Sequence, residues 1–465
     1  MHMRTLAPLL AALAALAGLP AVLARPFDGT GTDFLLPRAN PDFPNPNVDP
    51  FYQAPDSLAP AQNGQVLKRR PVPTTIQSIH LDSTYQLYYR TENTQGSPTG
   101  TVATIFVPKK PASPPKVLSV QWYEDAVSFD CSPSYALVQN SGSSSAVIAF
   151  LDIGIYTQWA LSQGYYVVQA DHEGPKASFI AGFNSGKAVL DGIKALINDQ
   201  KLPQDTQVAM TGYSGGAHAT VWAETLHEEY APSIKLVGSV HGGTPVDPRG
   251  TLLLINKGPF AGFAFAGLIG LMSQHPDLDA YVRSILGDAG RKKLAEFTSN
   301  GYCLPSVVAL SPFQDIFSYT NATDPINNPR VVKVLKEESL LSSYSSRSVP
   351  VPKHPRLIFH GVLDEIVPYK DNAQYVREQC AKGADIQFNS LVAEHITGEL
   401  FGIVGVINFL KQSFAGEIPK VKCGSILPDY QIGLFDPRAD DIMGKDIADE
   451  ARSLKGKKSP FGGNF

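Results

Sequence analysis

Short apolar, β-branched runs recur along the chain at Gln86–Tyr89, Val102–Val107, Val117–Trp122, Tyr165–Ala170, Val208–Thr211, Leu236–His241, Arg356–His360 and Ile386–Leu391. Runs of this length and composition between turn residues predict strands. Longer stretches with helical periodicity lie between several of them, at Ile180–Asn198, Ala217–Glu229, Asn372–Ala381 and Thr397–Phe414. Parallel strands need a crossover of about a dozen residues, usually a helix, so the alternation predicts an α/β fold with a mostly parallel central sheet.

The rhythm breaks once. From Thr244 to Leu340 no run reads as a convincing strand, and helical stretches alternate with Pro and Gly. An interval of that length predicts an inserted helical cap, or lid, over 244–340. Within it, Gly258 to Met272 carries Phe260, Phe263, Phe265, Leu268, Ile269 and Leu271 among Gly, Ala and Pro. A segment apolar on all sides is either a buried cap helix or a wall against which acyl chains lie, with Phe260 and Phe263 as candidates for that contact.

The rest of the chain is organised around this insert. Residues 1–24 read as a signal peptide: Arg4 precedes an apolar run from Leu6 to Ala17, and Val22 and Ala24 suit a peptidase cutting after Ala24. That run is too short and too interrupted by Pro8 and Pro20 to span a membrane, and no later stretch is long enough. Residues 25–70, with Pro44-Asn45-Pro46-Asn47, read as an extended arm in which Lys68-Arg69-Arg70 forms a solvated loop. Residues 71–243 and 341–425 form the core, and 426–465 a C-terminal tail.

With 465 residues, 43% of them hydrophobic, the chain can bury one large core plus the insert. Its 39 basic and 43 acidic residues nearly cancel and form no long run, which excludes nucleic acid as a partner. An exported chain with Cys131, Cys303, Cys380 and Cys423 is expected to hold two disulfides, and spacing alone leaves three pairings open. Asn321-Ala322-Thr323 is a glycosylation sequon. Oligomeric state is not encoded in any pattern of this kind.

The chemistry centres on Gly212-Tyr213-Ser214-Gly215-Gly216, which matches Gly-x-Ser-x-Gly, a sharp strand-to-helix turn that exposes a serine hydroxyl. The strand Val208–Thr211 enters it and the helix from Ala217 leaves it, as the motif requires. A serine hydroxyl is a weak nucleophile until an imidazole takes its proton, and the imidazole needs a carboxylate to fix its tautomer. Asp364, after the strand Arg356–His360, and His395, after Ile386–Leu391, follow Ser214 in the order this fold uses. Glu365 is the alternative acid. His218, His227, His241 and His360 are placed for structural roles or to support the site without touching substrate. Two donors must also face the oxyanion: the Gly215 amide, and one from the Trp122-Tyr123-Glu124-Asp125-Ala126 loop, where the amide of Asp125 or of its neighbour is the candidate. An ionised Asp125 would repel the oxyanion, so its side chain either points away or holds a proton. Glu399, four residues after His395, is positioned to share that proton.

Taken together, Tyr123-Glu124-Asp125, Asp171-His172-Glu173-Gly174, Gly212 to Thr220, His241-Gly242-Gly243-Thr244-Pro245, Asp364-Glu365-Ile366-Val367-Pro368 and Glu394-His395 resemble the fungal secretory lipase family, from about Asn45 to the C-terminus. The resemblance implies an α/β-hydrolase fold and a Ser214–Asp364–His395 triad with Asp125 and Gly215 as the oxyanion hole. It also implies disulfides Cys131–Cys303 and Cys380–Cys423, a helical cap over an acyl-binding channel with Tyr123 nearby, and a C-terminal flap. The expectation is a secreted serine hydrolase acting on triacylglycerol and other carboxylic esters at an oil-water interface, needing no metal or organic cofactor. A short-chain esterase for sugar, wall-polymer or secondary-metabolite esters, and a non-catalytic binding protein on the same fold, are the alternatives.

Overall fold

The computed structural model describes residues 40–453 except positions 148 and 300, so the signal peptide read at 1–24 lies outside the described residues. Among the described residues nine strands form a single sheet in the order β1-β2-β3-β5-β4-β6-β7-β8-β9. They run β1 Val66–Pro71, β2 Leu81–Glu92, β3 Pro98–Pro108, β4 Lys116–Gln121, β5 Tyr166–Ala170, β6 Gln207–Tyr213, β7 Lys235–Gly242, β8 Arg356–Gly361 and β9 Ile386–Leu391. From β5 through β9 every pairing is parallel, while β1, β2 and β3 add an antiparallel edge.

Each parallel step is made by a helix: α1 Ala149–Ser162, α2 Gly182–Asp199, α3 Ser214–Tyr230 and, later, α10 Tyr369–Ala381. Helix α11, His395–Ala415, follows the last strand. Side chains alternate across the sheet with a period of two, so neighbouring residues enter opposite cores. Val117, Val208, Met210 and Ile358 pack with α2, α3 and α10, while Leu118, Ala209, Leu357 and Phe359 pack with α1 and α11. Burial on both faces explains why these strands read as unbroken apolar runs.

The described part of the segment expected to be an extended arm is built into the fold. Its Lys68-Arg69-Arg70 lies in β1 rather than in a solvated loop. Arg70 pairs with the buried Asp49 at 2.6 Å, and Lys68 donates to the carbonyls of Pro50 and Gln53. A strand whose outer residues are charged is legible only once its neighbour is known, because pairing with β2 supplies what the pattern lacks.

Between β7 and β8 the chain leaves the sheet for six helices: α4 Pro248–Ile255, α5 Gly262–Gln274, α6 Pro276–Ile285, α7 Asp288–Ser299, α8 Leu304–Leu310 and α9 Pro329–Glu337. Disulfide Cys131–Cys303 ties the start of α8 to the loop after β4, and Cys380–Cys423 ties α10 to the segment that follows α11. Asn321 is exposed, as a glycan would require. The described part of the tail packs through Tyr430, Met443, Ile447 and Ala451 into the core on the α1 and α11 side. No described helix is long and apolar enough to cross a membrane.

The two cross-links close loops of very different length, with sequence separations of 172 and 43. Replacing Cys131 and Cys303 together by serine is expected to lower stability by about 2–5 kcal/mol, about 1 kcal/mol more than the same change at Cys380 and Cys423. Guanidinium unfolding midpoints of the two double variants check the order.

Candidate active site

Strand β6 runs without a spacer into α3, and the turn between them carries Ser214 at φ +51°. This left-handed conformation disfavours a Cβ and persists only because the surroundings enforce it. The crossing is tight: a Cβ on Gly212 would sit 2.4 Å from the Gly216 carbonyl oxygen, and one on Gly216 2.1 Å from that of Gln121. Only glycines let β4, β6 and the first turn of α3 approach so closely.

The loops after β8 and β9 bring the remaining groups to this turn. His395 Nε2 lies 2.9 Å from Ser214 Oγ, and its Nδ1 lies 2.7 Å from Asp364 Oδ2. The Asp364 carboxylate also accepts the amides of Ile366 and Val367 and lies 3.1 Å from His360 Nε2. Glu365, the alternative acid, points away and accepts the backbone N–H of His395 at 3.0 Å. Tyr213 donates its hydroxyl to the His395 carbonyl, and its ring lies against the imidazole. Glu394 and Thr397 cap α11 reciprocally, fixing the residue that starts the helix.

Burial opposes charge on His395, but the Asp364 carboxylate and its hydrogen bond outweigh it and lift the imidazole to about 9. Burial likewise works against ionised Asp364. The charge of His395 and the hydrogen bonds from His360 and His395 prevail and hold it well below the ordinary carboxylate range.

Asp125 stands opposite, at φ +45° and 4% exposed, with Oδ1 lacking a hydrogen-bond partner. Its Oδ1 would be 1.8 Å from a Cβ on Gly215, so the carboxyl lies directly over the amide-bearing first turn of α3. Burial raises it to about 7, with His395 pulling the other way.

This arrangement has relatives. A family model described as secretory lipase matches residues 144–421. The chain belongs to the secretory lipase family. Lipase A of Moesziomyces aphidis is 48% identical over 464 residues, covering 100% of this chain and 98% of that one. The secreted triacylglycerol lipase LIP1 of Malassezia furfur is 32% identical over 439 residues, covering 90% and 88%. The crystal structure of Candida antarctica lipase A in its closed state matches with a TM-score of 0.88 at 48% identity, covering 91% of this chain and 98% of that one. A rice cell wall degrading esterase, LipA of Xanthomonas oryzae, shares the fold alone, with a TM-score of 0.59 at 15% identity over 77% of this chain and all of that one.

In this secretory lipase two cavities meet at Ser214. One is bounded by Tyr123, Asp125, Phe260, Phe263, Ile396 and Glu399. The second starts at Asp125, Ser214 and Gly215 and runs into the helical insert between Ile180, Phe263, Gly267, Leu268 and Val334. A third apolar cavity shares Leu252, Leu268 and Val331 with the second and extends it. Phe263 stands between the first two, stacked on Phe260. No described residue of the tail lines any of these cavities.

The remaining histidines are used elsewhere. His218 is buried against Trp222 with its pKa depressed to about 3 by burial, His227 contacts the Ile234 carbonyl, and His241 contacts Thr244. His360, read from the sequence as structural or as supporting the site without touching substrate, is a second imidazole on Asp364. The role of Glu365 on the His395 amide had no signal in the sequence, since it depends on how two loops meet.

A raised imidazole implies a definite pH dependence. The attraction between His395 and Asp364 contributes fully below the unfolded histidine value of about 6.5 and is lost as pH rises through about 9. In an NMR titration the His395 ring is expected to change state near pH 9, and Asp364→Asn to bring that midpoint down to the ordinary histidine range or below it.

Proposed function

We propose that this secreted lipase hydrolyses long-chain carboxylic esters, triacylglycerol among them, through an acyl-enzyme on Ser214. The observation carrying this reading is Ser214 Oγ, 2.9 Å from an imidazole and at the head of an almost wholly apolar channel. His395 takes the hydroxyl proton as Oγ attacks the ester carbonyl carbon, Asp364 stabilises the imidazolium, and His395 then protonates the departing alkoxide. Water, deprotonated by the same imidazole, releases the acid; an alcohol in its place completes acyl transfer.

In this mechanism the oxyanion accepts the Gly215 amide N–H and the O–H of a protonated Asp125 carboxyl. A buried carboxylic acid that donates a hydrogen bond suits a site where negative charge develops. A proton on Asp125 with neutral His395 is the reactive form. An ionised Asp125 facing protonated His395 carries the same number of protons, so the pair titrates as a unit and activity is expected to form a plateau. Glu399 lines the same cavity and adds to the field that raises His395, and it is the group with which Asp125 would share its proton.

Substrate at an oil-water interface fits the rim. Val362 and Leu363 just before Asp364, Val392 just before His395, and Phe401 in α11 are all exposed apolar side chains on the segments that carry the reacting groups. Four exposed apolar side chains on the segments that carry Asp364 and His395 favour contact with a lipid phase.

Hydrolysis of p-nitrophenyl esters from acetyl to palmitoyl tests the reading. Activity is expected to extend to palmitoyl and to fall by at least about 10⁴-fold in Ser214→Ala; activity confined to acetyl and butyryl would count for a short-chain esterase. Gly267 tests the channel separately, because a Cβ there would meet only Ile180, at 3.8 Å. Gly267→Phe is expected to fill the channel and lower the palmitoyl-to-butyryl rate ratio roughly tenfold or more.

A further inference from the structure

Two consecutive carboxyls in the loop after β8 close on His395, and the mechanism above uses only the first. Asp364 Oδ2 lies 2.7 Å from the ring at Nδ1, and Glu365 Oε2 accepts the backbone N–H at 3.0 Å. Tyr213 donates its hydroxyl to the carbonyl of the same residue, with its ring 5.2 Å from the imidazole. His395 is therefore held at its ring, its amide and its carbonyl, by three side chains from two other segments of the chain.

The amide that Glu365 takes has no acceptor within its own helix. His395 is the first residue of α11, and the first N–H groups of a helix lack intrahelical partners. The capping box serves others: Glu394 accepts the Thr397 amide, and Thr397 Oγ1 accepts that of Glu394. That leaves the His395 N–H to Glu365, a half-buried side chain from another loop. A carboxylate suits this end of a 21-residue helix, where aligned peptide dipoles leave partial positive charge. Backbone bonds also join the two loops, from Val362 N–H to the Leu391 carbonyl at 2.8 Å and from Leu363 N–H to the Ala393 carbonyl at 3.1 Å. Both end before His395, so the Glu365 side chain carries the register of the loops onto the residue that bears the imidazole.

The charge of Glu365 works in the same direction. Burial disfavours the imidazolium, the Asp364 charge and hydrogen bond favour it most, and the charges of Glu365 and of Glu399 in α11 follow. Asp125 faces His395 from the loop after β4.

We propose that Glu365 is a positioning residue for ester hydrolysis: it pins the His395 backbone so that the imidazole stays between Asp364 and Ser214, and its carboxylate supports the imidazolium that forms as Ser214 attacks. This rests on the reading of His395 as the general base. Glu365 touches no reacting atom and acts through His395 alone.

The experiment compares kcat and KM on p-nitrophenyl butyrate for variants of the full secreted chain, together with NMR titration of the His395 ring. Glu365→Ala is expected to lower kcat by about tenfold or more with KM changed less than about threefold, since a base held less firmly is lost mainly in the transition state. Glu365→Gln, whose side-chain carbonyl still accepts the amide N–H, is expected to regain most of that loss. It removes the charge all the same, so the His395 midpoint is expected to fall from about 9 by about half a unit or more, which a merely structural neighbour would not produce. Adding Glu365→Ala to His395→Ala is expected to cost nothing further, because one residue works through the other. If Glu365→Ala does not fold, Glu365→Met, which fills the space without an acceptor, is measured against Glu365→Gln by the same criterion. A folded, full-speed Glu365→Ala or Glu365→Met overturns the proposal alone, as do a Gln variant as slow as Ala, an unmoved His395 midpoint or a further loss in the double variant. A full-speed His395→Ala overturns the general-base reading and this proposal with it.

Discussion

The turn at Ser214 is the constraint on which the rest depends. A non-glycine residue at φ +51° is held there because β6 passes directly into α3 while β4 lies against the same turn, with glycines at both contacts. Strand order then decides what can reach the hydroxyl. Strands β4, β7 and β8 flank β6 on its two sides, so their C-terminal loops, together with that of β9, converge on one edge of the sheet. This edge is where open α/β sheets gather their ligands.

Behind that edge the helix carrying Ser214 is fixed by charge. Glu224 of α3 pairs with the fully buried Arg356 of β8 at 3.0 Å, and Arg356 also reaches Tyr375 and Gln379 of α10. A buried pair of this kind offsets its desolvation only with several good hydrogen bonds, and its value is more in geometry than in net stability. Here it joins the helix of the serine to the strand that leads to Asp364. In front of the edge no Arg or Lys among the described residues forms an ion pair with Asp125, Glu124 or Glu173, and burial raises the pKa of each. The same desolvation that pairing offsets behind the serine favours the protonated form of the acids ahead of it.

The helical insert supplies what the sheet cannot. A sheet edge and its loops make a reactive corner but no depth, whereas packing α4, α5 and α9 over it encloses apolar space continuous with Ser214. The cross-link Cys131–Cys303 joins this insert to the segment that follows the oxyanion loop, so the two sides of the cleft are covalently coupled.

What the sequence determined by itself was local. Apolar runs with period two, helical stretches between them and the Gly-x-Ser-x-Gly turn located eight of the nine strands, the nucleophile candidate and its partners in order, because strand burial, helix periodicity and the glycine requirement each act within a few residues. The edge strand through Lys68-Arg69-Arg70 escaped notice since its outer face is charged and only pairing with β2 makes it a strand. Tertiary structure alone decided that Tyr430, Met443 and Ile447 of the tail build core and that Glu365 serves the His395 backbone. Those outcomes depend on which of two neighbouring polar groups meets a partner hundreds or tens of residues away, and desolvation, which sets their protonation, exists only once the chain has closed around them.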